Sequence, residues 1–190
     1  HSHRQHRPIG AIEQLHQWLP GFARRPAKRE WHRRRLERGI PESLGDPDRP
    51  IEEICEEATR DAGLVVPANY NCPGQLVISG EVAGVERAME LAKAAGTKRA
   101  MRLNVSGAFH SPLMAEAAQE MAGLIDAAPF VSATVPVFQN TNAAPATRAD
   151  DLRAALRPQM TGAVRWTESV QNMIAAGAAK FVEVGPGNVL

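Results

Sequence analysis

The feature that most limits the fold is the order of periodic segments between Ile51 and Val105. IEEICEEATRDAG sets Ile51, Ile54, Cys55, Ala58 and Ala62 on one helical stripe with acids outward, and Gly63 stops it. LVVPANYN and QLVISG, both rich in β-branched residues, predict two short strands joined by a Cys-Pro-Gly turn. EVAGVERAMELAKAAG then places Val85, Ala88, Met89 and Ala92 on a second helical face that ends at Gly96, and KRAMRLNV is a further strand. Helix, strand, strand, helix, strand is the order of a ferredoxin-like βαββαβ unit lacking its first strand. That strand is expected just before Ile51, where the sequence is least regular.

The text beyond Val105 keeps alternating. Ser111 suits an N-cap and Pro112 a first helical turn, so PLMAEAAQEMAGLID predicts a helix with Leu113, Met114, Ala117, Met121 and Leu124 inward. TVPVFQN predicts a strand, and ADDLRAALRPQM a short helix with Asp150 and Asp151 at its positive end and Pro158 as its stop. TESVQNMIAAG predicts a helix, and KFVEVGPG a strand running into a Gly-Pro-Gly turn. The whole reads as α/β.

Residues 1–50 differ in kind. They hold 11 of the 22 Lys and Arg but 6 of the 21 Asp and Glu, with dense His and Pro and no sustained period, so no structure is assigned to them. A basic head invites nucleic acid only weakly, because no helix-turn-helix, zinc-finger spacing or aromatic-interleaved strand supports base reading. The start, HSHRQHRP, has neither Met nor an apolar h-region, and is read as processed or as a piece of a longer reading frame. Cys55 and Cys72 form no C-x-x-C or Cys/His cluster, which argues for a reducing, cytoplasmic setting and against a metal site. Cys55, on the helical stripe, reads as core packing. No apolar run reaches the length of a membrane span.

The residue that invites a chemical reading is His110 in VSGAFHSPLM, the sole histidine after position 32. A histidine ahead of a helix N-terminus sits in the positive end of the dipole, which favours a neutral ring able to act as general base. The plain alternative is a histidine that packs at a strand-to-helix junction. A nucleophile for it is hard to find. A nucleophile elbow reads G-x-S-x-G between strand and helix, whereas Pro41-Glu42-Ser43-Leu44-Gly45 has Pro where the strained turn needs Gly, so Ser43 reads as a loop serine. VGPGNVL lacks phosphate-loop spacing and a Walker lysine and reads as a tight turn. Asn69, Tyr70, Asn71, Gly74 and Gln75 read as turn chemistry.

Five blocks in order, ANYNCPGQLVISG, LNVSGAFHSPLM, PVFQNTNA, RPQMTGAVRWTESVQNMIAAG and FVEVGPGNVL, resemble the C-terminal half of the malonyl-CoA:acyl-carrier-protein transacylases. The likeness covers about residues 51–190. It implies part of an α/β-hydrolase-like acyltransferase domain (106–190) with an inserted ferredoxin-like small subdomain (44–105), preceded by a basic segment, 1–43, outside the homology. It also implies malonyl transfer from coenzyme A to the phosphopantetheine thiol of acyl carrier protein, in fatty acid or polyketide biosynthesis, with no bound cofactor. His110 matches the family's catalytic histidine, Gln159 the position whose backbone carbonyl orients it, and Phe109 the residue that accompanies malonyl preference. Lys93, Lys98, Arg99 and Arg102 are candidate contacts for the acidic carrier.

The family's GHSLGE serine, the arginine that clamps the malonyl carboxylate and the oxyanion-hole glutamine are not recognisable here, and family sequence resumes abruptly near Leu44 as in a truncated or frame-disrupted copy. The resemblance therefore implies a chain without its nucleophile and inactive alone. The alternative is a catalytically silent module that binds the carrier. Half of such a domain is also expected to expose strand edges and apolar faces.

Overall fold

A computed structural model of the chain describes residues 11–16, 49–98, 100–103 and 107–184. The first lobe begins with strand β1 (Ala11–His16), followed by helix α1 (Ile51–Ala62), strands β2 (Val65–Cys72) and β3 (Gln75–Gly80), helix α2 (Val82–Ala94) and strand β4 (Ala100–Leu103). The four strands form one sheet in the order β2-β3-β1-β4, every neighbouring pair antiparallel.

Helices α1 and α2 form where the apolar stripes predicted them. Ile51, Ile54, Cys55 and Ala58 from α1 and Val85, Ala88 and Ala92 from α2 close over Val65 and Ile78 of the sheet. Met89 packs beside this core, and Ala62 lies outside it, exposed. Val77, alternating to the other face, joins Ala68 and Leu103. Thr59 ties α1 to β2: its hydroxyl donates to the Val65 carbonyl and accepts from the Val65 N–H, both at 3.0 Å. Burial holds the Cys55 thiol neutral, its pKa pushed up to about 12, which fits a packing role.

One expectation needs correcting. The strand missing from the sequence reading is not just before Ile51. The slot between β3 and β4 is filled by β1, from the segment to which no structure was assigned, in register with Gln75–Gly80 on one side and Ala100–Leu103 on the other. The reason is backbone accounting: without an intervening strand, β3 and β4 would each leave a row of N–H and C=O groups unpaired. Such pairing is non-local and leaves little periodic trace in AIEQLH.

The second lobe opens with a 3-10 turn (Pro112–Met114) leading into α3 (Ala115–Ala127). A two-stranded pair, β5 (Val137–Phe138) and β6 (Pro145–Ala146), precedes α4 (Ala149–Leu156), a 3-10 turn (Arg157–Met160) and α5 (Trp166–Ala175). Ser111 is not an N-cap through its side chain; its buried hydroxyl donates to the Ala108 carbonyl at 2.7 Å. Pro158 does not end the helical path, because the tighter 3-10 turn accommodates it in its first turn. TVPVFQN keeps two strand residues, and no strand forms at Lys180–Val184. The apolar face of α3 is not inward either: Leu124 is 68% exposed and Leu113 and Met121 about as open as a surface residue, leaving Ile125 as the buried position. Met114 and Ala117 are half-buried, so the predicted face is covered only in part: periodicity reports an apolar side but not how much of it a neighbour covers.

The two lobes meet where α5 and the residues before it lie along β2. Close approach also governs the first lobe, since a Cβ on Gly84 would run into the Gly63 carbonyl. Gly84→Ala should therefore destabilise by about 1–3 kcal/mol, overpacking outweighing the gain in helix propensity. Gly123 of α3 has nothing within 4 Å of an added Cβ, so Gly123→Ala should stabilise by about 0.5–1 kcal/mol. Urea unfolding of the two variants against the parent reads both signs.

Candidate functional site

His110 lies between the buried Ala108 and the 3-10 turn at Pro112, and its backbone takes φ 61°, the left-handed region that a β-carbon disfavours. Holding a non-glycine residue there costs about 1–3 kcal/mol and persists only where surroundings impose it. The surroundings here are the turn that ends α4. The His110 N–H donates to the Met160 carbonyl at 2.9 Å. Its ring Nδ1 lies 2.9 Å from the Gln159 carbonyl oxygen and 3.1 Å from that of Gly162.

Two carbonyl oxygens can only accept, so Nδ1 must carry the proton. The Gln159 side-chain nitrogen, 3.4 Å from Nδ1, is itself a donor and is the weaker contact on distance. The neutral ring is thus fixed with Nε2 bare, and among the described residues no hydrogen-bond partner occupies Nε2. Such an imidazole can accept a proton from a hydroxyl or thiol and later return it. The tautomer is thus set by the carbonyls of a turn about fifty residues further along the chain.

That turn is compact. The Gly162 N–H donates to the Pro158 carbonyl at 2.7 Å, and a Cβ on Gly162 would lie 2.9 Å from the same oxygen. Glycine at 162 therefore lets the chain fold back closely enough for its own carbonyl to reach His110. Phe109, 40% exposed, lies against Gly107.

A family profile described as acyl transferase domain matches residues 39–190. The chain belongs to the acyl transferase domain family. Malonyl CoA-acyl carrier protein transacylase from Bacillus subtilis strain 168 is 44% identical over 147 residues, which are 77% of this chain and 46% of that protein. The protein of the same name from Synechocystis is 47% identical over 135 residues, 71% of this chain and 45% of its own. Among solved structures, a transacylase from Streptococcus pneumoniae superimposes with a TM-score of 0.73 at 34% identity, covering 96% of this chain and 50% of its own. A type II polyketide acyl-carrier protein in complex with its malonyl-transacylase gives a TM-score of 0.73 at 31% identity, covering 95% and 49%. This acyl transferase chain spans about half the length of the curated relatives it matches.

Of the residues singled out from the sequence, the structure brings together His110, Phe109 and Gln159. Lys93 at the end of α2, Lys98 in the following loop and Arg102 on β4 are exposed and form a separate group on the first lobe; Arg102 also lies 3.7 Å from Glu86. Arg99, Ser43 and most of VGPGNVL lie outside the described residues. Gly162 was not foreseen. Its signal was available in RPQMTG, where a glycine four residues after a proline permits a tight return.

Long-range proton–nitrogen NMR of the ring should find neutral His110 almost wholly as the Nδ1–H tautomer. A dominant Nε2–H form would contradict the two-carbonyl geometry.

Proposed function

We propose that this chain carries the base half of a malonyl transacylase, moving a malonyl group from coenzyme A to the phosphopantetheine thiol of an acyl carrier protein in the cytoplasm. The observation that carries the reading is the Nδ1 of His110 held between the Gln159 and Gly162 carbonyls. That arrangement leaves Nε2 as the proton acceptor, the part a triad histidine plays. The names of the relatives supply the substrate class. The first lobe, residues 44–105 together with β1, is read as the ferredoxin-like small subdomain, and residues 106–190 as part of an α/β-hydrolase-like large domain.

In this reading Nε2 takes the proton of a serine hydroxyl as its oxygen attacks the malonyl thioester carbonyl. The carbon–sulfur bond breaks, and the imidazolium returns the proton to the departing CoA thiolate. In the second half Nε2 takes the proton of the carrier thiol, whose sulfur attacks the acyl-serine, and the serine oxygen leaves with that proton. Phe109 restricts the pocket against an α-methyl branch, a discrimination of about 1–3 kcal/mol. The serine of this scheme is not recognisable in the sequence, so the chain by itself should leave labelled malonyl-CoA untouched and gain no malonyl mass.

A second reading, a silent module that docks the carrier, is favoured by the exposed cations Lys93, Lys98 and Arg102. Arg99 is included with them on sequence alone. Carrier affinity that falls with salt and with Lys93→Glu and Lys98→Glu supports docking, and affinity indifferent to both removes it.

The test of the transfer reading is a hybrid in which residues 51–190 replace the matching segment of the Bacillus subtilis relative. It should malonylate carrier protein, and His110→Ala should lower kcat by about 10²–10⁴-fold with the serine still in place. A hybrid that folds and binds malonyl-CoA yet transfers at the same rate with and without His110 overturns the reading.

A further inference from the structure

The turn that grips His110 is itself held from the other lobe. Two residues beyond Gly162, Val164 pairs with the outer edge of β2 as a parallel bridge to Asn69. The Val164 N–H donates to the Ala68 carbonyl at 2.8 Å, and its carbonyl accepts from the Tyr70 N–H at 2.9 Å. In the first turn of α5 the Thr167 hydroxyl donates to the Tyr70 carbonyl at 3.0 Å. Three hydrogen bonds thus fasten Val164 and Thr167 to Ala68 and Tyr70 of β2.

The edge of β2 is shaped for this. Its register with β3 shifts between Pro67 and Asn69 and again between Tyr70 and Cys72, so Ala68 and Asn71 have no partner on β3. A bulge of this kind turns a strand's backbone groups away from the regular ladder. Here it flanks the residues that bond the segment from the second lobe. Within its own lobe the same segment is held by Arg165, whose N–H donates to the Asn140 carbonyl at 2.9 Å, and by Asn172, whose side-chain amide donates to the Ala143 carbonyl at 2.9 Å.

We propose that the bulged edge of β2 is a positioning device for His110: by fixing Val164 it fixes the Gly162 carbonyl, and through it the ring tautomer, with Thr167 the positioning side chain that closes the clamp. The proposal takes His110 as the base from the reading above, but its test observes the ring and the backbone rather than acyl transfer. Loss of transfer with the coupling intact would therefore remove that reading and leave this one standing.

The test compares the parent chain with Thr167→Val, which removes the hydroxyl at nearly constant volume, and Thr167→Ser, which keeps it. In Thr167→Val the amides of Val164 and His110 should exchange about fivefold faster, the factor expected for one lost part-buried hydrogen bond. The Nδ1–H fraction of neutral His110 should fall, and Thr167→Ser should restore both. A faster Val164 amide with the His110 amide and tautomer unchanged overturns the proposal, because the clamp would then be merely structural. If Thr167→Val does not fold, the parent chain decides: Tyr70, Val164 and His110 amides exchanging as one cooperative unit support it. A Val164 amide opening independently, about tenfold or more faster than His110, overturns it.

Discussion

The state of the His110 ring depends on two carbonyl oxygens meeting one ring nitrogen. Gln159 and Gly162 together leave Nδ1 of His110 no choice but to carry its proton. The cost is a left-handed backbone at a residue with a β-carbon, offset by the main-chain bond to Met160 and by the ring contacts themselves. The partners come from about fifty residues further along the chain. The second lobe must therefore fold before the histidine acquires a defined role, and the first lobe, through the edge of β2, bounds where that turn can sit.

What could be read from the sequence follows from how local each cause is. The stripes Ile51, Ile54, Cys55, Ala58 and Val85, Ala88, Ala92 are set by a 3.6-residue period, and the helices formed there with those faces buried. β2 and β3 were legible from β-branched runs about a Cys-Pro-Gly turn. β1 was not, because a strand placed between two others answers to backbone groups far away in sequence. At the site, the five-block resemblance pointed to His110 and to the carbonyl of Gln159, whereas the share taken by Gly162 arises from a turn geometry that no side chain announces. The inward face assigned to α3 failed for a different reason. An amphipathic period identifies the apolar side without supplying its neighbour.

That missing neighbour accords with the proportions of the chain. It spans about half of relatives that share its fold, and the residues left in water are concentrated in the second lobe, at Leu113, Leu124, Val131, Val135 and Val182. The first lobe, by contrast, closes its own core. The division is physical: a four-stranded sheet with two helices on one face has somewhere to put its apolar groups, and short helices beside a two-residue strand pair do not.

The segment Phe181–Val184 carries this furthest. Val182 is 71% and Val184 92% exposed, and among the described residues no strand forms there. Exposed apolar side chains of this kind favour association with whatever apolar surface can cover them. At high concentration the readiest such surface is the same segment of another copy, so exposure there favours self-association. In a cell, the steady-state amount of this chain is then set less by its folding free energy than by how quickly that apolar surface is covered or cleared by chaperones and proteases.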